Sequence, residues 1–343
     1  MKVAQQSVHW TLGILRHFQI FFWLRVFPAP KQNPRPPSRC QRKLLGSTSR
    51  NYVSKQEDTM QIPSDVIKCV VFFLYRSKID EKLTLAGTGF LLTLESEIAT
   101  FNYLVTAKHV IIAINNESID RKVIIRINDK KGGFQLIDID SNDWRYHPSD
   151  TSVDIAVLGW APPLELDYLR IPIPMLATEE IIEKNHIGAG DETFTVGLFV
   201  GRFGKMQNIP IVRAGNIASM NKEKVETRHF GSMEAYLVEA RSIGGLSGSP
   251  VFVHLGGIRD GKVASGGIFY LLGLNEGHWK IKSPDIEMAV GIEFKDAFDD
   301  SGEINMGIAI VVPAIKILEI INQPNWQKER DAELEKYKRN INQ

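Results

Sequence analysis

From residue 62 onward the chain is cut into short runs rich in Val, Ile, Phe and Tyr, each closed by a turn signal. No other feature constrains the fold as strongly. The runs lie at 66–75, 89–94, 102–106, 123–127 and 154–158. After a Pro-punctuated connector over 161–174 they resume at 193–198, 209–214, 235–240, 251–253, 268–274 and 308–312. β-Branched and aromatic side chains suit a pleated, half-buried surface. Breakers such as Asn115-Asn116, 129–133 and 148–150 mark the strand ends. Helical spacing begins only after Pro313, where Ile315, Leu318 and Ile321 are three apart and Ile317 stands four before Ile321. Pro324 is expected to end or kink that helix. Many short strands followed by a terminal helix indicate an all-β barrel or sandwich.

Hydrophobic residues make up 43% of the 343, enough for a sizeable core, which excludes a disordered or collagen-like chain. The formal charge of +1 conceals a division. Ten of the 41 basic residues fall within the first 56 positions, which hold no acid, leaving 31 basic against 40 acidic residues beyond them. The basic segment is read as a disordered leader over 1–60, with Met60 as an alternative start. An Arg-rich, acid-free organellar transit peptide is the other reading, so the expected location is cytoplasmic or, alternatively, organellar. Arg16 and Arg25 interrupt the apolar stretch over 10–27, which argues against a signal peptide or membrane span. Near-neutral total charge also argues against a nucleic-acid partner. Two cysteines, Cys40 and Cys69, allow one bridge at most, so no disulfide scaffold is expected.

Three segments carry residues suited to acyl transfer. Val105-Thr106-Ala107-Lys108-His109 closes an apolar run. Asp154 heads the run Ile155-Ala156-Val157-Leu158. Gly244-Gly245-Leu246-Ser247-Gly248-Ser249-Pro250 is a glycine-rich turn entering the next run. A serine hydroxyl is a poor nucleophile until an imidazole takes its proton, and that imidazole needs a carboxylate to fix its tautomer. Glycines let backbone N–H groups converge on a developing oxyanion. The remaining domain histidines, His147, His186, His229, His254 and His278, show no ligand spacing. With Cys69 the only cysteine of the domain, no zinc site or other cofactor is expected.

TAKH, DIAVL and GLSGSP, in the order His, Asp, Ser, resemble the motifs of the trypsin/chymotrypsin-like serine proteases. Gly87-Thr88-Gly89-Phe90 and 307–313 (GIAIVVP) are similar to segments of compact bacterial-type members, including the high-temperature-requirement proteases. The resemblance covers roughly 62–321. It implies two packed six-stranded antiparallel β-barrels, the first about 62–165 and the second about 190–313. A closing helix from about 314 would complete the peptidase domain of 61–323, followed by a polar tail over 324–343 with mixed charges at helical spacing. It also implies Ser247 as nucleophile, His109 as general base then acid, Asp154 as its orienter, and the N–H groups of Gly245 and Ser247 as oxyanion hole.

The chain departs from the family pattern in three ways. Leu246 stands where animal digestive enzymes carry an acid used in zymogen activation, Ser249 replaces a second glycine, and no PDZ-sized segment follows. Arg241 occupies the counterpart of the pocket base, where it would favour an acidic side chain before the scissile bond; otherwise it points to solvent. Asn275 and Gly277 offer a backbone strip for an extended peptide. The expected activity is serine endopeptidase action on polypeptide substrates. A silent trypsin-like domain that binds peptides or proteins is the alternative.

Overall fold

Pro63, whose ring fixes its φ near −61°, precedes a 3-10 turn at Ser64–Cys69, so β1 begins at Val70 and not at 66. The computed structural model describes residues 62–221, 223–227, 229–240, 245–256, 258–259, 262–263, 267–282 and 303–341. The expected 1–60 leader, Cys40 and Arg241 lie outside them.

The first half is one antiparallel sheet. Its strands are β1 (Val70–Arg76), β2 (Leu83–Glu95), β3 (Thr100–Thr106), β4 (Lys122–Asn128), β5 (Phe134–Asp140), β6 (Arg145–Tyr146) and β7 (Ala156–Gly159). They run in the order β5-β4-β1-β2-β3-β7-β6, and β8 (Ile171–Pro172) adds a short parallel pairing to β2. Phe72, Phe73 and Phe90 are fully buried in this sheet's core; burying each contributes about 1.5–3 kcal/mol. A closed first barrel was expected, but among the described residues β5 and β6 remain unpaired edges. β6 is two residues long, is stopped by Pro148, and turns away from β5 through a 3-10 turn at Ser141–Asp143. It offers too short a ladder for closure.

The second half does close. β9 (Glu192–Gly197), β10 (Ile211–Ser219), β13 (Tyr236–Glu239), β14 (Pro250–Leu255), β17 (Ile268–Lys282) and β18 (Glu303–Pro313) form a six-stranded barrel in the order β10-β13-β18-β17-β14-β9. Two small ribbons accompany it, β11 (Val225–Thr227) with β12 (Gly231–Met233) and β15 (Ile258–Arg259) with β16 (Lys262–Val263). Phe194 stacks on Phe252 at 4.9 Å, with Phe269 edge-on to both, in a buried cluster continuous with the core of the sheet. Arg126 of β4, 3% exposed, ties sheet to barrel half by donating to Asn208 Oδ1 (2.6 Å) and the Gly204 carbonyl (2.8 Å).

Helices sit where the chain turns away from strand pairing. α1 (Lys108–Glu117) follows β3 directly and buries Val110, Ile111 and Ile114 on one face. The Asn115-Asn116 turn signal lies inside it. α2 (Glu179–Lys184) is capped by the Thr178 hydroxyl, which accepts from the Ile181 N–H. α3 (Ile315–Ile321) is the expected closing helix, burying Ile317, Ile320 and Ile321. Pro324 starts a further helix, α4 (Pro324–Ile341), consistent with its tolerance at a first helical position. That tail is mostly exposed except Trp326, 5% exposed, which stacks on Tyr103 at 4.8 Å. Among the described residues no helix is long and apolar enough to cross a membrane.

Candidate functional site

His109 is the second residue of α1, not the end of a strand, so its ring is presented by a helix start rather than a pleat. Asp154 lies two residues before β7 and is fully buried. A buried carboxylate needs compensating donors, and His109 supplies two. Its backbone N–H donates to Oδ1 at 2.8 Å, and its ring Nδ1 stands 2.5 Å from Oδ2. A carboxylate only accepts, so Nδ1 carries the hydrogen and Nε2 is the nitrogen turned to other partners. Burial pulls the imidazole pKa down, but the Asp154 hydrogen bond and charge, with Glu276 adding to them, outweigh it and leave the value raised above 6.5.

The Ser247 turn is held by three hydrogen bonds to Thr88 and Asn275. Thr88 Oγ1 donates to the Gly245 carbonyl (2.8 Å), the Thr88 N–H donates to the Ser247 carbonyl (2.9 Å), and the Gly248 N–H donates to Asn275 O (2.8 Å). Gly245 (φ +98°) and Gly248 (φ +84°) adopt backbone that only glycine takes at little cost. Gly248 packs so closely on Thr88, Thr106 and Ala107 that the turn abuts the start of the helix bearing His109. The fold thus gathers three motifs separated by up to 138 positions into one region (His109 to Ser247).

Ser247 Oγ donates to the Glu276 carbonyl at 3.1 Å, and among the described residues it shares no hydrogen bond with His109. Glu276 owes this position to a bulge: β17 pairs Asn275 with Val311 and Gly277 with Ile310, leaving Glu276 as the extra residue. Its side chain is 3% exposed and lies beside His109. Asn275, expected as substrate strip, has both backbone groups engaged by Gly248 and Ser249, and its side chain donates to Leu246 O (3.0 Å). Gly277 is open, with nothing within 4 Å of a would-be Cβ.

Two further residues meet His109 that the linear spacing did not reveal. The turn between β11 and β12 lays the exposed His229 ring flat on His109, centroids 4.2 Å apart and planes 5° from parallel. Phe230 receives the Lys108 ammonium at 3.9 Å from its ring centroid. His229 and Glu276 reach the site from elements far from His109 in sequence, so no short motif marks them. Burial pushes the Cys69 thiol up to about 12, which keeps it from reacting as a thiolate.

Leu246 is buried against Gly197, as is Ser249, whose hydroxyl is fully buried with no hydrogen-bond partner among the described residues. An unpaired buried hydroxyl costs about 1–3 kcal/mol. Ser249→Ala is therefore expected to raise stability by about 1 kcal/mol, seen as a higher denaturant midpoint at unchanged m-value. A lower midpoint would show that the hydroxyl is satisfied.

No family model and no curated protein sequence matches the chain. Among solved structures 283 chains match. One of them, the crystal structure of Deg5, is similar with a TM-score of 0.37 and 18% identity, over 62% of this chain and 80% of that one.

Proposed function

We propose that the chain is a serine endopeptidase of the trypsin-like type, acting through Ser247, His109 and Asp154. The observation that carries this reading is the two-point grip of buried Asp154 on His109, at the same place where the tightly packed Ser247 turn docks. Such a grip fixes ring orientation and tautomer, which is what a general base for a hydroxyl requires. The reading requires that Ser247 Oγ leave the Glu276 carbonyl and turn to His109 Nε2.

In the reaction Ser247 Oγ forms a bond to the substrate carbonyl carbon while its proton passes to His109. The oxyanion is received by the Gly245 and Ser247 N–H groups, neither of which donates a hydrogen bond among the described residues. The carbon–nitrogen bond then breaks, His109 returns the proton to the leaving amine, and water repeats the sequence on the acyl-enzyme. With the Asn275 backbone engaged, extended substrate would pair at Gly277. Arg241 as a pocket base favouring acidic side chains remains part of the proposal.

The Ser247 to Glu276 hydrogen bond favours a second reading, a silent domain that binds peptides without cleaving them. A fluorophosphonate probe separates the two. Covalent labelling is expected in the wild type and absent in Ser247→Ala; an unlabelled folded wild type supports the binding module. Because His109 must be neutral to accept a proton and its pKa is raised, labelling should climb with pH through a midpoint above 6.5. A midpoint below that value would contradict the Asp154 coupling.

A further inference from the structure

His109, His229 and Glu276 each place a ligating atom within 4.8 Å of the others. They come from α1, the β11–β12 turn and the β17 bulge, three elements brought together only by the fold. We propose that they form a site for a divalent transition-metal ion of the zinc class, and that filling it silences the hydrolytic centre. The silencing half rests on the serine-hydrolase reading above; the binding half does not.

Two imidazoles and one carboxylate are a donor set that zinc accepts, with a fourth position open to water. The second coordination sphere is already built. Asp154 holds His109 Nδ1 at 2.5 Å, which turns Nε2 outward as the lone-pair nitrogen, the carboxylate–histidine–metal arrangement that fixes ligand orientation. Glu276 is 3% exposed, so its carboxylate is held at the site by the surrounding barrel. His229 is exposed on a short turn and supplies the adjustment. With bonds of about 2.0–2.2 Å, donors sharing one tetrahedral ion stand about 3.3–3.6 Å apart. The ring now stacked flat at 4.2 Å must therefore tilt edge-on toward His109. The ion would occupy the nitrogen that receives the Ser247 proton, so bound metal and general-base action exclude each other.

Zinc sulfate titrated into the full chain against a chromophoric chelator tests binding. The wild type should take up one equivalent at this site, and His229→Gln and Glu276→Gln should each weaken uptake by about tenfold or more. Equal affinity in the wild type and both variants, or no uptake at all, overturns the site. Thermal midpoints measured in chelator confirm that each variant is folded. Fluorophosphonate labelling tests silencing: the wild-type rate with zinc should fall by about tenfold relative to chelator, and that ratio should return toward one in His229→Gln. Zinc uptake that both variants weaken, together with a labelling rate that zinc leaves unchanged, keeps the site and overturns the silencing. Uptake with no labelling even in chelator upholds the metal site and sinks the endopeptidase reading instead.

Discussion

Asp154→Asn is expected to lower the rate of Ser247 labelling by about four orders of magnitude while leaving the fold intact. Asp154 accepts from the His109 backbone N–H through Oδ1 and from ring Nδ1 through Oδ2, and it is fully buried. An asparagine has one acceptor oxygen and one amide group that only donates. If its oxygen stays with the backbone N–H, the amide faces Nδ1 and drives that nitrogen to become the acceptor. The hydrogen then moves to Nε2, and the ring presents an N–H where the serine needs a base. If the amide flips, it meets the backbone N–H, donor against donor, in a site without water access. The first arrangement costs less, so the side chain should hold its place and the chemistry should fail. Circular dichroism matching the wild type, with labelling lost, is the expected pair of results. Labelling within about tenfold of wild type would show that Asp154 does not control the His109 tautomer.

That prediction draws on a part of the site legible in the sequence. TAKH, DIAVL and GLSGSP announce themselves because each catalytic candidate sits among small or apolar neighbours that the local backbone demands. Strand positions were legible for the same reason: runs such as 251–253 and 308–312 fall inside β14 and β18. α1 was not, since its apolar face is carried by Val110, Ile111 and Ile114 alone and the Asn115-Asn116 pair imitates a turn. Closure was not legible either. Whether a sheet becomes a barrel depends on whether two edges meet, and β6 fails by being too short. Glu276 was invisible because its direction comes from a bulge against β18, a register event involving residues some thirty-five positions away. His229 carries no spacing signal at all, and only the docking of its turn onto Lys108 and His109 gives it meaning.

Gly248→Ala should be one of the most damaging single methyls among the described residues. A Cβ there would stand 2.1 Å from Thr88 O, 2.3 Å from Thr106 Oγ1 and 3.0 Å from Ala107 N. None of these can retreat cheaply. Thr106 Oγ1 already donates to Thr88 O at 2.7 Å, and the Thr88 N–H is committed to the Ser247 carbonyl. The φ of +84° adds about 1–2 kcal/mol for any residue with a Cβ. Relief by rotating the peptide would break the Gly248 N–H bond to Asn275 and move Ser247 away from His109. A loss of at least about 2 kcal/mol follows, or a thermal midpoint lower by at least about 4 °C, with Ser247 labelling lost as well. Gly277→Ala supplies the control, because its Cβ would meet nothing within 4 Å, and its stability should stay within about 0.5 kcal/mol of wild type. If both alanines behaved alike, the tight seat of the Ser247 turn on Thr88 and Thr106 would not be what holds Ser247 in place.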